Sequence, residues 1–207
     1  MPETLVTVLA GDLVASTDLT EEGLALALDA LRAAATRIED WHHQPVHFTR
    51  NRGDGWQICL PGDAPGIREA LALRAALRQH GKAYETRIAI ATGPATLPED
   101  GDLNRASGPA FTHAGHLLDL MEGPHFLHWS GGALNSIARL ADHISHGWTP
   151  AQARAILPML TPSFPPLQSD IASSLKITRQ AVGQALAAAG YDALHAALTD
   201  LERAEQP

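Results

Sequence analysis

The first two thirds of the chain alternates strand-like and helix-like patterns of apolar residues. Leu5 to Ala10 is a short apolar, β-branched run that stops before Gly11, which is typical of a buried strand. From Glu21 to Trp41, apolar residues recur at steps of three and four among charged ones, which predicts an amphipathic helix. A strand and a packed helix therefore open the chain.

A β-hairpin is predicted next. Two short runs, Val46 to Arg50 and Trp56 to Leu60, flank Asp54-Gly55, and this pair favours a tight turn because glycine tolerates positive φ. The elements expected after it are a helix over 65–80, a strand over 86–91 ended by Thr92-Gly93-Pro94, a polar loop over 97–107, a helix over 109–121, a strand over 126–129 and a helix over 133–146. The leading order βαββαβ predicts an α+β fold, with a ferredoxin-like, palm-like sheet and helices on one face.

A second unit is predicted to begin after Gly147-Trp148. Thr149 is a good N-cap, Pro150 suits the first helical position, and Gln152 completes a capping box. The prolines between Pro158 and Pro166 are expected to end that helix and form a stiff connector. The division predicted is therefore 1–146 and 147–207.

The clearest pattern in the second unit is that of a helix-turn-helix. Two apolar faces, Ile171, Ala172, Leu175 and then Val182, Ala185, Leu186, Ala189, are separated by a turn at Lys176 and end at Gly190. The outward side chains expected to bind DNA are Lys176, Thr178, Arg179, Gln180 and Gln184. The alternative is a small helical dimerisation module with a solvated polar face.

Composition and charge set limits on these interpretations. With 45% apolar and 18% charged residues, the chain is an ordinary globular one and not a disordered or collagen-like one. No run of about 18 uncharged apolar residues occurs, so we expect a cytoplasmic protein with no membrane partner. Cys59 is expected to be an inert core thiol, and Trp56, Trp129 and Trp148 are expected to serve packing.

The distribution of charge bears on DNA binding. The net charge is −8, but from Thr149 onward four basic and five acidic residues give only −1. Lys176 and Arg179 are then the bases left to hold phosphates, so two copies must act together and a homodimer is implied.

Two carboxylates suggest a second kind of site. Asp12 ends the first strand and Asp54 lies in the hairpin turn, and in a βαββαβ sheet that strand lies beside the hairpin. Converging aspartates can hold Mg²⁺ or Mn²⁺, while the N–H groups of Leu13, Val14, Ala15, Ser16 and Thr17 can cradle phosphate oxygens. Alternatively, Asp12 only caps a turn and Asp54 only satisfies its hairpin.

Several short stretches together resemble a known family. The stretches 9–17, 50–55 and 87–93, reading LAGDLVAST, RNRGDG and RIAIATG, resemble in order the signature stretches of class III nucleotide cyclase domains. Together with Gly108-Pro109-Ala110-Phe111 and the helix-turn-helix, the chain resembles the SatD family, in which a cyclase-like domain precedes a small DNA-binding domain.

The resemblance also assigns roles to particular residues. It implies Asp12 and Asp54 as metal carboxylates, and it places Arg50 where cyclases often carry a base-selecting lysine. Thr112 and His116 stand where cyclases carry an asparagine that orients the ribose and an arginine that stabilises the triphosphate. Losing that fixed cation costs about a hundredfold or more in rate, which argues against efficient cyclisation.

The function that these features favour is a DNA-binding transcriptional regulator whose first domain senses a nucleotide-like ligand or serves assembly. The alternatives are an active metal-dependent cyclase acting on a nucleoside triphosphate, and a non-catalytic dimerisation scaffold.

Overall fold

The structure of the protein is a computed structural model that describes residues 3–51 and 53–204. The strands are β1 (Thr4–Leu13), β2 (His47–Arg50), β3 (Gly55–Pro61), β4 (Thr86–Ala95) and β5 (Phe126–His128). The helices are α1 (Glu21–His42), α2 (Ile67–Arg78), α3 (Pro109–Asp119), α4 (Gly132–His146), α5 (Pro150–Met159), α6 (Gln168–Leu175), α7 (Arg179–Ala188) and α8 (Tyr191–Ala204).

The five strands form one mixed sheet in the order β2-β3-β1-β4-β5. The β2–β3, β3–β1 and β1–β4 pairs are antiparallel, whereas β4 and β5 are parallel. The hairpin forms as expected, and Gly53 adopts the positive φ of 69° that its turn requires. The predicted α+β palm-like sheet is confirmed, but the helices do not all lie on one face. Helices α1 and α2 cover the face that carries Leu9 and Ile90, whereas α3 packs on the opposite face, which carries Val8 and Ala91, so the expectation of helices on one face was wrong.

Strand β4 is longer than the sequence predicted. It continues through Thr92-Gly93-Pro94 to Ala95, and Pro94 pairs in register with Leu5 of β1. Proline lacks an N–H, and it is tolerated on a strand edge where no ladder bond is needed. Because β5 pairs with β4 only at 88–90, Pro94 lies beyond it on such an edge, and the predicted stop at Thr92-Gly93-Pro94 was wrong.

Helix α2 is buried along its whole length, including its charged residues. One side faces the sheet and α1, and α4 and α5 pack around the rest. Trp148, which is almost fully buried, donates from Nε1 to the carbonyl of Ala189 across a distance of 2.9 Å. The apolar core therefore continues from the sheet into the C-terminal helices, and the proposed division into 1–146 and 147–207 stays a prediction.

Both ends of α5 lie where the sequence predicts them. Thr149 and Gln152 form the predicted capping box, with reciprocal bonds of 3.3 and 2.7 Å. Pro158 lies inside the last turn of α5, which ends at Met159, so the helix ends within the stretch between Pro158 and Pro166, as expected.

Cys59 lies in the apolar core. Cys59 is buried, and burial raises the pKa of its thiol to about 12, so the expectation of an inert core thiol is confirmed.

Among residues 3–51 and 53–204, every helix is too short or too polar to cross a membrane.

Candidate functional site

The sheet register brings the two predicted carboxylates to the same end of the sheet. Asp12 of β1 pairs with Gly55 of β3, and Asp54 directly precedes Gly55 in the hairpin turn. On its other side, Asp12 pairs with Arg87 of β4. The site at this end of the sheet is therefore made of two acidic residues and one basic residue.

Arg87 binds both carboxylate oxygens of Asp12. Its Nε donates to Oδ1 across 2.7 Å, its Nη2 donates to Oδ2, and its Nη1 donates to the carbonyl of Met121. The hydrogen bonds to Asp12 raise the pKa of Arg87 against the opposing effect of burial, and the charges of Asp12, Asp119 and Asp54 add to that increase. The cation that neutralises Asp12 is thus an arginine of the chain itself.

This arrangement does not fit a Mg²⁺ or Mn²⁺ ion. Both oxygens of Asp12 are already used by Arg87. Over the described ranges, 3–51 and 53–204, no three His, Cys, Asp or Glu side chains are grouped so that they could hold an ion. A metal-binding role for Asp12 and Asp54 would require Arg87 to move.

The segment after β1 is only partly available to a ligand. Leu13 is buried, and the N–H of Val14 donates to the carbonyl of Glu85 across 2.9 Å. Ala15 has a left-handed φ of 50° and leads into a short 3-10 helix over Ser16–Asp18. The predicted phosphate cradle from Leu13 to Thr17 is therefore reduced to the groups of Ala15, Ser16 and Thr17.

Arg50 is held by its own hairpin. Its Nε and Nη2 donate to the carbonyl of Gly53 across 3.0 and 2.7 Å, and the side chain is exposed. Its carbonyl accepts from the side chain of Asn104. In this conformation Arg50 stabilises the turn that carries Asp54.

Thr112 and His116 of α3, to which the resemblance assigns the positions of the cyclase asparagine and arginine, have local partners. The Thr112 hydroxyl donates to the carbonyl of Gly108 across 3.2 Å. His116 lies edge-on to Trp129 with ring centroids 5.7 Å apart, and His113 stacks on the same ring at 4.5 Å. Trp129 is 38% exposed and packs against these two histidines at the surface, whereas Trp56 and Trp148 are buried as expected.

Helix α7 and the turn before it expose the side chains that the sequence assigns to DNA. Lys176, at a left-handed φ of 55°, lies between α6 and α7, and the Thr178 hydroxyl caps α7 by accepting from the N–H of Ala181. Val182 and Leu186 are buried on the inner side. The exposed residues are Lys176, Thr178, Arg179, Gln180 and Gln184.

Two arginines that the sequence did not single out are the most buried charges of the fold. Arg68 and Arg74 of α2 are 2% and 1% exposed, and they bind Glu202 and Asp142 respectively. The sequence did carry a signal for them, because both arginines lie in a helix with apolar residues on every side. Such a helix is expected to be buried, and a buried guanidinium requires a carboxylate partner.

Known proteins resemble this chain in fold but not in sequence. No family model matches the sequence, and no curated protein matches it. The fold is similar to solved nucleotide cyclase structures, among them the guanylyl cyclase Cya2, with 17% identity over 61% of this chain and 75% of that chain and a TM-score of 0.46. The catalytic core of a rhodopsin-guanylyl cyclase in complex with ATPαS is 19% identical over 61% and 77% of the two chains, with a TM-score of 0.48. The adenylyl cyclase CyaB from P. aeruginosa is 20% identical over 61% and 77%, with a TM-score of 0.44.

Proposed function

We propose that the chain is a DNA-binding regulator that reads DNA with α7, and that its cyclase-like sheet domain senses a nucleotide-like ligand or serves assembly without performing cyclisation. The observation that carries this proposal is the exposed polar face of α7. Arg179, Gln180 and Gln184 are exposed on a helix whose opposite side, at Val182 and Leu186, is packed into the core.

The chemistry of that face suits the major groove. A glutamine can bind adenine through two hydrogen bonds, and an arginine can bind guanine or a phosphate. Gly183 and Ala187, which lie on the same helix, are too small to keep its backbone away from a groove. Lys176 and Thr178 flank the start of the helix and can contact the phosphate backbone.

The charge of the C-terminal region supports a two-copy complex. Its net charge of −1 leaves few cations to neutralise phosphates, so the affinity of a single copy would be weak. Two copies on one duplex double the number of phosphate contacts and of base contacts. We therefore propose that the DNA-binding form is a homodimer.

The contacts of Asp12 support the absence of cyclisation. A cyclase needs cations that stabilise charge moving on the triphosphate, and Asp12 is committed to Arg87 instead. Thr112 bonds to its own helix and His116 packs on Trp129, so neither is free to replace a fixed arginine.

A mobility-shift experiment against genomic fragments tests the regulator. We expect binding that weakens as salt rises, and we expect Arg179→Ala and Gln184→Ala each to cost about 1–3 kcal/mol, or roughly 5- to 150-fold in affinity. Arg203→Ala removes the same charge from an exposed position of α8 and is the matched control. A dimeric sample that shows no salt-sensitive binding at low ionic strength would overturn the proposed DNA-binding role.

The enzyme alternative has its own test. The protein is incubated with the four nucleoside triphosphates and Mg²⁺ or Mn²⁺, and we expect no cyclic nucleotide. A cyclic product that the wild type forms and that Asp12→Ala abolishes would overturn the proposal for the sheet domain.

A further inference from the structure

A cavity of about 200 Å³ lies where the sheet domain meets α8. Its walls come from the end of α1, the turn before α2, the first turn of α2, the loop after α5 and one side of α8. At about 30 Å³ for each water molecule, this volume is roughly that of six or seven waters, which suits a small organic molecule.

One part of the cavity lining is cationic. Arg68 is 2% exposed and lies in the first turn of α2. Its Nη1 donates to the carbonyl of Leu160 across 3.2 Å. Gly66, at a φ of 72°, is the N-cap residue of α2. None of the described side chains caps this helix end, so its partial positive charge adds to that of Arg68.

A carboxylate of the chain itself binds the Arg68 guanidinium. Glu202 of α8 accepts from Arg68 in a bidentate pair, with Nε to Oε1 at 2.5 Å and Nη2 to Oε2 at 2.8 Å. The Glu202 side chain is 31% exposed, whereas its partner is buried. A planar guanidinium recognises any carboxylate in this way, so Glu202 stands where a carboxylate ligand would bind.

Most of the remaining lining is apolar. Trp41, Ile67, Pro162, Leu198 and Leu201 line the cavity beside the ion pair. The second acidic side chain of the lining, Glu69, is bound to Nε2 of His42 at 2.9 Å. A ligand that fits both parts has one carboxylate and a compact apolar or aromatic body.

We propose that this cavity binds a small monocarboxylic acid with an apolar body, and that the ligand's carboxylate replaces Glu202 on Arg68. Glu202 lies near the end of α8, where opening a helical turn costs little free energy. Binding therefore frees that end of α8 from α2, and Glu202 acts as an internal competitor that sets the affinity.

Calorimetric titration with benzoate tests the proposal, and inorganic phosphate is a second probe that lacks an apolar body. Glu202→Gln removes the competing charge while keeping the shape of the side chain, and we expect it to bind benzoate at least tenfold more tightly than the wild type. Asp200→Asn makes the same change at an exposed position of α8 and should leave the affinity unchanged.

Two further variants locate the ligand. Arg68→Met should abolish benzoate binding, and Leu201→Trp, which fills the apolar part and leaves the Arg68–Glu202 pair in place, should do the same if the first variant fails to fold. In the wild type, benzoate should also accelerate tryptic cleavage after Arg203, because that residue follows Glu202. Equal affinity of the wild type and Glu202→Gln, no binding by Glu202→Gln, or binding of phosphate alone would overturn the proposal.

Discussion

Removing the carboxylate of Asp142 should strongly destabilise the protein, because it leaves the guanidinium of Arg74 buried without its counter-ion. Arg74 is 1% exposed, and its Nη2 donates to Asp142 Oδ1 across 2.7 Å. Burial lowers the pKa of Arg74, and the nearby carboxylate of Asp142 opposes that decrease. The fold therefore depends on this carboxylate to keep a charge in its core.

The size of the effect follows from what remains around Arg74 in Asp142→Ala. Breaking a buried ion pair on one side costs about 3–5 kcal/mol. The carbonyls of residues 142 and 124, the Ser145 hydroxyl and the Phe126 ring, whose centroid lies 3.7 Å from the guanidinium carbon, still contact Arg74. We therefore expect a loss near the lower limit, about 3 kcal/mol in the free energy of unfolding.

Urea unfolding followed by the fluorescence of the buried tryptophans Trp56 and Trp148 measures this loss. Asp200→Ala, an exposed change on α8, should stay within about 0.5 kcal/mol of the wild type. The double variant Arg74→Met with Asp142→Leu should lose less than Asp142→Ala alone, because it leaves no unpaired charge at this site. A loss below about 1 kcal/mol for Asp142→Ala would refute the reasoning.

Three other outcomes are expected. Burial lowers the pKa of His128 from 6.5 to about 4, so the unfolded chain takes up a proton at a higher pH than the folded protein does. The stability is therefore full above pH 6.5 and falls by about 3 kcal/mol as the pH drops from 6.5 through 4. Unfolding curves of His128→Gln should lack this part of the pH dependence. Cys59 should react with a thiol reagent only after unfolding, and fast labelling of the native protein would contradict its burial. Gly66→Ala should cost about 1–3 kcal/mol in urea unfolding, because φ is 72° and the new Cβ would lie 2.8 Å from Ile90 Cγ2, whereas an unchanged midpoint would refute this.

Elements governed by nearby residues were predictable from the sequence. The apolar spacing of α1, the Asp-Gly turn of the hairpin and the capping box at Thr149 each depend on residues within a few positions of one another, and each forms as expected. The full extent of β4 was not predictable, because Pro94 is tolerated only where the neighbouring strand has ended.

The candidate site was predictable only in part. Asp12 and Asp54 could be identified from their motifs, and the order βαββαβ of the elements along the chain was enough to place them at one end of the sheet. The pairing of Asp12 with Arg87 could not be read from the sequence, because it depends on the β1–β4 register between residues 75 positions apart. That pairing decides whether the carboxylate is available to a metal ion.

The sequence by itself determined the positions and order of the helices, strands, turns and caps, though not the full length of β4, since these follow from local backbone preferences and from the spacing of apolar residues. Only the tertiary structure decided the partners of the charged residues. Arg68 and Glu202 are 134 residues apart, and α2 becomes buried on every side only when the C-terminal helices pack on it. Such choices minimise the free energy of the whole fold, because a buried charge must find its partner wherever packing brings one.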